Sequence, residues 1–193
     1  MSTGNQGRQK FNFFNKCIQS ANILYTFFVF CDIIHFMNKD IIIKRVKTVE
    51  ECKICNQMFA ELVGYEMQFD NSILPRMDVS NYYERTLNRD DSILFLASYD
   101  NESVGYVMAY KHEQKATVAG NFVTVMHIYV RPECRGCGIG KLLIENVEHW
   151  ARQEFGECII ELDCFADNKT AIEFYSKLDF KPIRVKMRKN LNL

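Results

Sequence analysis

The stretch Thr124-Val-Met-His-Ile-Tyr-Val-Arg-Pro-Glu-Cys-Arg-Gly-Cys-Gly-Ile-Gly140, with the run Lys141 to Phe155 that follows it, decides how the chain is read. Its first half is β-branched and aromatic, as a strand requires, and its second half holds three glycines in five positions. Beyond them Ile139, Leu142, Leu143, Val147, Trp150, Ala151 and Phe155 recur at helical spacing, while Lys141, Glu145, Glu148 and Arg152 lie off that stripe. The order is therefore strand, tight turn, amphipathic helix, and Gly156 ends the helix. A glycine turn in front of a helix offers free N–H groups at the positive end of a macrodipole, which is where an anionic phosphate binds.

Working outward, Cys158 to Cys164 reads as the next strand, Asn168 to Leu178 as a helix, and Phe180 to Met187 as a final extended run. Upstream, Phe122 to Val130 is the strand that enters the turn, preceded by a polar loop from His112 to Asn121. Ile93 to Tyr99 and Val104 to Lys111 flank the turn-rich Asp100-Asn101-Glu102-Ser103 and form an antiparallel hairpin. Ile41 to Val46 is a first strand. Thr48 and Glu51 then make a capping box ahead of Cys52, Cys55, Met58, Phe59 and Leu62, a helix running to Gly64. Tyr65 to Met77 reads as a loop, and Asp78 or Ser80 caps a second helix through about Leu87. The order β-α-α-β-β-β-α-β-α-β gives an α+β domain: a mixed, mostly antiparallel central sheet flanked by helices.

Residues 1–36 differ from the rest. Arg8, Lys10 and Lys16 precede the apolar run Ile23 to Cys31, but Asp32-Ile33-Ile34-His35 stands where a cleavage site would fall. As a spanning helix the wider segment is interrupted by Gln19, Asn22, Asp32 and His35. We read it as a hydrophobic leader outside the fold, from a misassigned start or as an anchor, with a packed N-terminal helix as the other reading; residues 37–193 form the domain. The 24 basic and 24 acidic residues balance, so bulk charge predicts neither nucleic acid nor an anionic membrane as partner. The eight cysteines are scattered, which suits reduced thiols in the cytoplasm. Cys52-x-x-Cys55 and Cys134-x-x-Cys137 have ligand-like spacing, but the first falls in a helical pattern and the second in the turn, so no metal is expected.

Three phosphate ligands compete for the turn. A Walker loop needs four residues between its glycines, yet Gly136 and Gly140 enclose three, and Leu142 stands where the magnesium-binding hydroxyl belongs. A dinucleotide fingerprint needs glycine at the position of Lys141. The letters that do fit are Arg135-Gly136-Cys137-Gly138-Ile139-Gly140 after Ile-Tyr-Val-Arg-Pro. In that form the segment resembles the acyl-CoA turn of the GNAT superfamily of N-acetyltransferases. Leu162-Asp163-Cys164-Phe165-Ala166-Asp167-Asn168, then Ala171, Phe174, Tyr175, Lys177, Leu178 and Phe180, resembles that family's second signature. Asp179 departs from the usual glycine after the last helix, and Cys134 from the usual aromatic.

The resemblance implies an acyl-CoA N-acyltransferase-like fold and a single small domain of bacterial type. It implies that the amides of Arg135, Gly136, Cys137, Gly138, Ile139, Gly140 and Lys141 hold the pyrophosphate of acetyl-CoA, the cosubstrate. Backbone groups of Ile128, Tyr129 and Val130 would pair with the pantetheine arm, and Asn168 would contact the coenzyme, although it also suits a plain helix cap. Tyr175 corresponds to the proton donor for the departing sulfur, although a core tyrosine beside Phe174 is the plainer reading. Asp163 matches an acidic base, with His127 and Glu161 as rivals; strand alternation puts His127 on a face with Val125 and Tyr129. Glu66, Asp70, Tyr82, Tyr83 and Glu84 could line the acceptor site. The activity implied is acetyl transfer from acetyl-CoA to a primary amine of a small molecule or of a protein N-terminus or lysine. A non-catalytic acyl-CoA-binding or sensing domain of the same fold is the alternative. Expected partners are acetyl-CoA and an amine acceptor, with a homodimer admitted, no nucleic acid, and a membrane only if residues 1–36 anchor the chain.

Overall fold

A computed structural model describes residues 41–73, 81–113, 120–189 and 191. The proposed leader, the capping residues Asp78 and Ser80, and most of the polar loop before Asn121 lie outside these described residues. The elements are β1 (Ile41–Arg45), α1 (Val49–Glu66), β2 (Ser92–Tyr99), β3 (Glu102–Glu113), β4 (Asn121–Val130), α2 (Ile139–Phe155), β5 (Ile159–Leu162) and α3 (Lys169–Ser176). Single 3-10 turns at Glu84–Thr86 and Pro132–Cys134 punctuate the connections.

The five strands lie in sequence order in one sheet. The first three pairings are antiparallel and only β4 with β5 is parallel. A parallel pair needs a crossover, and α2 is that crossover. Between β2 and β3 the hairpin turns on Asp100 and Asn101, both at positive φ (52° and 63°), a region these two residue types tolerate.

One face of the sheet buries Leu94, Leu96, Tyr106 and Tyr129 against Cys52, Cys55, Met58, Phe59 and Leu62 of α1. The alternate residues Ile93, Val107, Ala109 and Val123 are buried as well, and α2 lies along β1 to β4 with Ile139, Leu143, Ile144, Val147, Trp150 and Ala151 buried. Five residues of the stripe read from the sequence, Ile139, Leu143, Val147, Trp150 and Ala151, are in the packed set, while Leu142 and Phe155 are half-buried and Ile144 joins from outside that reading.

Two expected elements differ. Residues 81–87 form a turn and a 3-10 turn, not a helix. Tertiary bonds override the local pattern: Tyr83 is fully buried, its N–H donates to Asn56 Oδ1 at 3.1 Å, and its carbonyl accepts from Thr86 Oγ1 at 2.6 Å. The run Phe180 to Met187 is extended but belongs to no strand, because no neighbouring strand pairs with it among the described residues. Helix α1 also passes Gly64 by two residues before its cap at Met67.

The capping box of α1 forms as read. Glu51 N–H donates to Thr48 Oγ1 at 3.2 Å, and the Glu51 carboxylate accepts from the N–H of Thr48 and of Lys47. It also pairs with Lys44 Nζ at 2.8 Å, and this bond leads the causes that hold its carboxyl down at about 2. A folded-state value below the usual 4.5 means stabilisation present above that pH and lost as pH falls toward 2. Glu51→Ala is expected to cost about 1 kcal/mol at pH 7. Urea unfolding at stepped pH checks this, and the gap to the wild type narrows below pH 4.5.

Candidate functional site

Strands β4 and β5 pair only from Phe122 with Ile159 to Val125 with Leu162. β5 ends there, whereas β4 continues to Val130 with β3 as its only strand neighbour among the described residues. The parting coincides with a β-bulge. Met108 pairs with His127 and its neighbour Ala109 pairs with Val125, so Met126 is an extra residue, 44% exposed. A bulge bends its strand and frees backbone groups from the ladder. It also reverses the alternation: because Met108 and Ala109 face opposite ways, so do His127 and Val125. The expectation that those two share a face is corrected on this ground, while His127 and Tyr129 do share one.

β4 leads into the glycine turn. Gly136 and Gly138 sit at φ 78° and 86°, backbone that a side chain strains, and a Cβ at either would meet open space. Gly140 is different: it lies within α2, and a Cβ there would stand 3.0 Å from the Phe174 ring, so this glycine lets α3 approach α2. Gly138 is the N-cap of α2, no side chain caps it, and no acidic residue stands in the first turn. Among the described residues nothing accepts from the N–H groups of Gly136, Cys137 and Gly138, and those of Ile139, Gly140 and Lys141 are first-turn amides. The positive end of this 17-residue helix is thus not offset by a carboxylate of its own first turn.

The Arg135 side chain turns back from this row. Its Nε donates to Val130 O at 2.9 Å, and its guanidinium lies 4.9 Å over the Tyr65 ring and 5.8 Å from that of Tyr129. Tyr65 meets Phe69 edge-on at 5.5 Å, and Phe69 stacks on Phe165 at 5.9 Å. These aromatics join the end of α1 to the turn and to the loop after β5. They were not singled out in the sequence, although the four-residue spacing of Tyr65 and Phe69 at a helix end was a readable signal.

On α3, Asn168 Oδ1 accepts from the N–H of Ala171 at 3.1 Å, so its oxygen caps the helix. Tyr175 is half-buried between Phe174 (5.2 Å) and Phe180 (5.9 Å). Burial raises its hydroxyl well above the usual tyrosine range, and Cys164 and Glu66 add to the shift. It is therefore protonated at neutral pH. Burial alone also raises the Glu66 carboxyl. Asp179, the departure from glycine, does adopt the left-handed conformation, at φ 66°.

His127 stands apart from this group. Its Nδ1 is 3.0 Å from Tyr83 Oη, which donates to Tyr106 Oη at 3.0 Å, and its ring packs on Phe59 at 4.4 Å. Burial lowers it from 6.5 to about 4, so it is neutral near pH 7. Asp163 is exposed, and no contact among the described residues joins it to His127 or Tyr175. Glu161 accepts from Thr124 Oγ1 at 3.3 Å. Of the acceptor-side residues, Tyr83 is core, Glu84 accepts from Asn56 Nδ2 with both oxygens, and Asp70 accepts from Arg188 at 2.8 Å. Glu66 and Tyr82 remain accessible. Ile128 and Val130 are half-buried, whereas Tyr129 is buried and donates to Glu61 at 2.9 Å. Cys52 and Cys55 lie in the core, and no metal-holding group of three or more side chains occurs among the described residues. No helix among them is long and apolar enough to cross a membrane.

Residues 59–180 match the profile of the acetyltransferase (GNAT) family. An uncharacterised N-acetyltransferase of Methanocaldococcus jannaschii is 33% identical over 104 residues, which is 52% of this chain and 44% of that protein. The chain thus spans less than half of that relative's length. The uncharacterised N-acetyltransferase YdgE of Bacillus subtilis is 28% identical over 129 residues, 65% of this chain and 72% of that one. Among solved structures, a tetramutant of the BH1408 protein of Bacillus halodurans superposes with a TM-score of 0.68 at 19% identity, covering 78% of this chain and 99% of that one. The aminoglycoside N-acetyltransferase AAC(6')-Iy, solved with CoA, gives 0.60 at 18% identity, over 81% and 97%. At these identities the two structures speak for the fold.

The neutral, half-buried His127 has a measurable consequence. With a folded value near 4 against 6.5 unfolded, the unfolded chain binds more protons between those pH values. Its contribution is complete above pH 6.5 and is lost as pH falls toward 4, by at most about 3 kcal/mol. Melting curves across that range are expected to show the decline, and His127→Gln to flatten it.

Proposed function

The chain belongs to the acetyltransferase (GNAT) family, and from that premise we propose that it transfers the acetyl group of acetyl-CoA to a primary amine, on a small molecule or on a protein N-terminus or lysine. The observation that carries this reading is the parting of β4 from β5 beside an uncapped glycine turn. Free amides of Gly136 to Lys141 suit a pyrophosphate, and the side of Met126 to Val130 that faces away from β3, in the run Ile128, Tyr129 and Val130, suits the amide groups of a pantetheine arm, with Val130 O already accepting from Arg135 Nε. The bulge at Met126 supports a backbone N–H there as the group that polarises the thioester carbonyl. In Asn168 the oxygen is engaged in the cap, which leaves Nδ2 to donate to the coenzyme.

In the reaction the amine nitrogen bonds to the carbonyl carbon, the carbon–sulfur bond breaks, a base takes the amine proton and an acid protonates the sulfur. Tyr175, protonated at neutral pH, is the proposed acid. For the base, Asp163 and His127 were read from the sequence. Burial makes the imidazolium of His127 costly, and Asp163 is exposed. Glu66 suits the role better: burial raises its carboxyl, and its charge is felt at Tyr175. Burial also raises the thiols of Cys137 and Cys164, which favours direct attack over an acetyl-cysteine intermediate.

Thiol release from acetyl-CoA with a panel of small amines and peptides tests the activity. No release with any acceptor, despite thermal stabilisation by CoA, would mark a silent binding domain. Tyr175→Phe is expected to lower kcat by about 100-fold while leaving the CoA-induced melting shift in place. An unchanged kcat removes Tyr175 as the acid. Glu66→Gln is expected to abolish the acidic limb of the kcat/KM profile, which in the wild type lies above pH 4.5 because the folded carboxyl is raised.

A further inference from the structure

Helix α1 presents two residues one turn apart, Glu61 and Tyr65, to the entry of the glycine turn. The Glu61 carboxylate accepts from Tyr129 Oη at 2.9 Å, and the Tyr65 ring centre lies 4.9 Å from the Arg135 guanidinium. Arg135 in turn reaches back five residues: its Nε donates to Val130 O at 2.9 Å, and its guanidinium stands 5.8 Å from the Tyr129 ring. A carbonyl and two aromatic rings, one from α1 and one from β4, thus hold this one cation.

The place where they hold it matters. Arg135 is exposed, and straight after it the backbone enters positive φ at Gly136 and Gly138. Glycines carry no side chain that could fix the turn, and nothing among the described residues accepts from the N–H groups of Gly136, Cys137 and Gly138. A backbone with that freedom loses entropy when a ligand orders it, and a fixed point beside it reduces the loss. Tyr65 is itself held, edge-on to Phe69 at 5.5 Å, with its carbonyl accepting from Gln68 Nε2 at 2.7 Å. Its side-chain contacts run through the ring and not the hydroxyl.

On the reading of that turn as the acetyl-CoA site, we infer that Tyr65 is a positioning residue for the coenzyme: its ring, stacked on Arg135, holds the entry of the turn in the shape that presents the amides of Gly136 to Lys141 to the pyrophosphate. Tyr65 acts through Arg135, and the attraction of the ring face for the guanidinium is what an aliphatic side chain of similar size lacks. The same ring ties the turn to α1 one residue before Glu66. The helix end that carries the proposed base and the turn that holds the coenzyme therefore share one support.

Calorimetric titration of the full chain with CoA tests this inference. Tyr65→Leu is expected to weaken CoA binding about 5-fold, and Tyr65→Phe, which keeps the ring, to bind like the wild type. Arg135→Met reads the same clasp from its other side and is expected to weaken binding as well. In that background Tyr65→Leu should add less than about 2-fold, because its partner is already gone. A loss of packing alone lowers the melting temperature of the variants but gives neither the recovery by phenylalanine nor the non-additive CoA affinity. Tyr65→Leu binding CoA like the wild type, Tyr65→Phe binding as weakly as Tyr65→Leu, or full additivity with Arg135→Met would each overturn the inference and leave the coenzyme reading standing. A wild type that binds no CoA would overturn both.

Discussion

β4 cannot keep two neighbours along its whole length, and most of what distinguishes this domain follows from where it gives one up. As far as Val125 it shares its backbone between β3 and β5. At Met126 one extra residue enters, the strand bends, and from there β3 alone pairs with it among the described residues. The same bulge sets which side chains face α1. Without it His127 would follow Val125 to the opposite face, and the bond from His127 to Tyr83 would have no partner. One inserted residue therefore opens the sheet on one side and completes the core on the other.

Helix α1 serves both ends of that arrangement. Its middle anchors a buried polar network in which Asn56 holds the Tyr83 backbone and the Glu84 carboxylate, while Tyr83 bridges Tyr106 and His127. Each buried group has a partner, so the network rigidifies the core instead of burdening it. Its end carries Tyr65 and, just beyond, Phe69, which reach Arg135 after β4 and Phe165 after β5. The opening between the two strands is thus framed by residues far apart in sequence. Phe174 of α3 lies against Gly140 of α2, where a Cβ would stand 3.0 Å from its ring and press it to shift.

The elements with local causes were legible. The capping box of α1, the Asp100-Asn101 hairpin and the stripe of α2 each depend on neighbours within a few residues, and each formed where the letters placed it. What escaped depends on tertiary contacts. The bulge is invisible in Thr124 to Val130 because it is a property of the register with β3. The helix expected through Leu87 loses to the burial of Tyr83. The final run has a strand's alternation but pairs with no strand among the described residues, and alternation alone cannot supply a partner. Within the site, the glycines were legible as a set, but not their division of labour: two serve a left-handed backbone and one serves helix packing. The carboxylate at Glu66 was legible only as one of several acidic residues, since the rise in its pKa comes from burial.

Taken together, the side of β4 that parts from β5 and the free amides of the glycine turn at the start of α2 offer two segments of backbone donors and acceptors, separated by the hydrogen-bonded turn Arg131 to Arg135. Such segments suit a long ligand with a polar arm and an anionic end, and acetyl-CoA has both. Residue-resolved amide exchange with and without CoA tests this claim most directly. The account predicts slowed exchange at residues 126–130 and 136–141 together, because one molecule would engage both segments. Protection of neither segment, or of a different part of the domain while CoA binds, would contradict it.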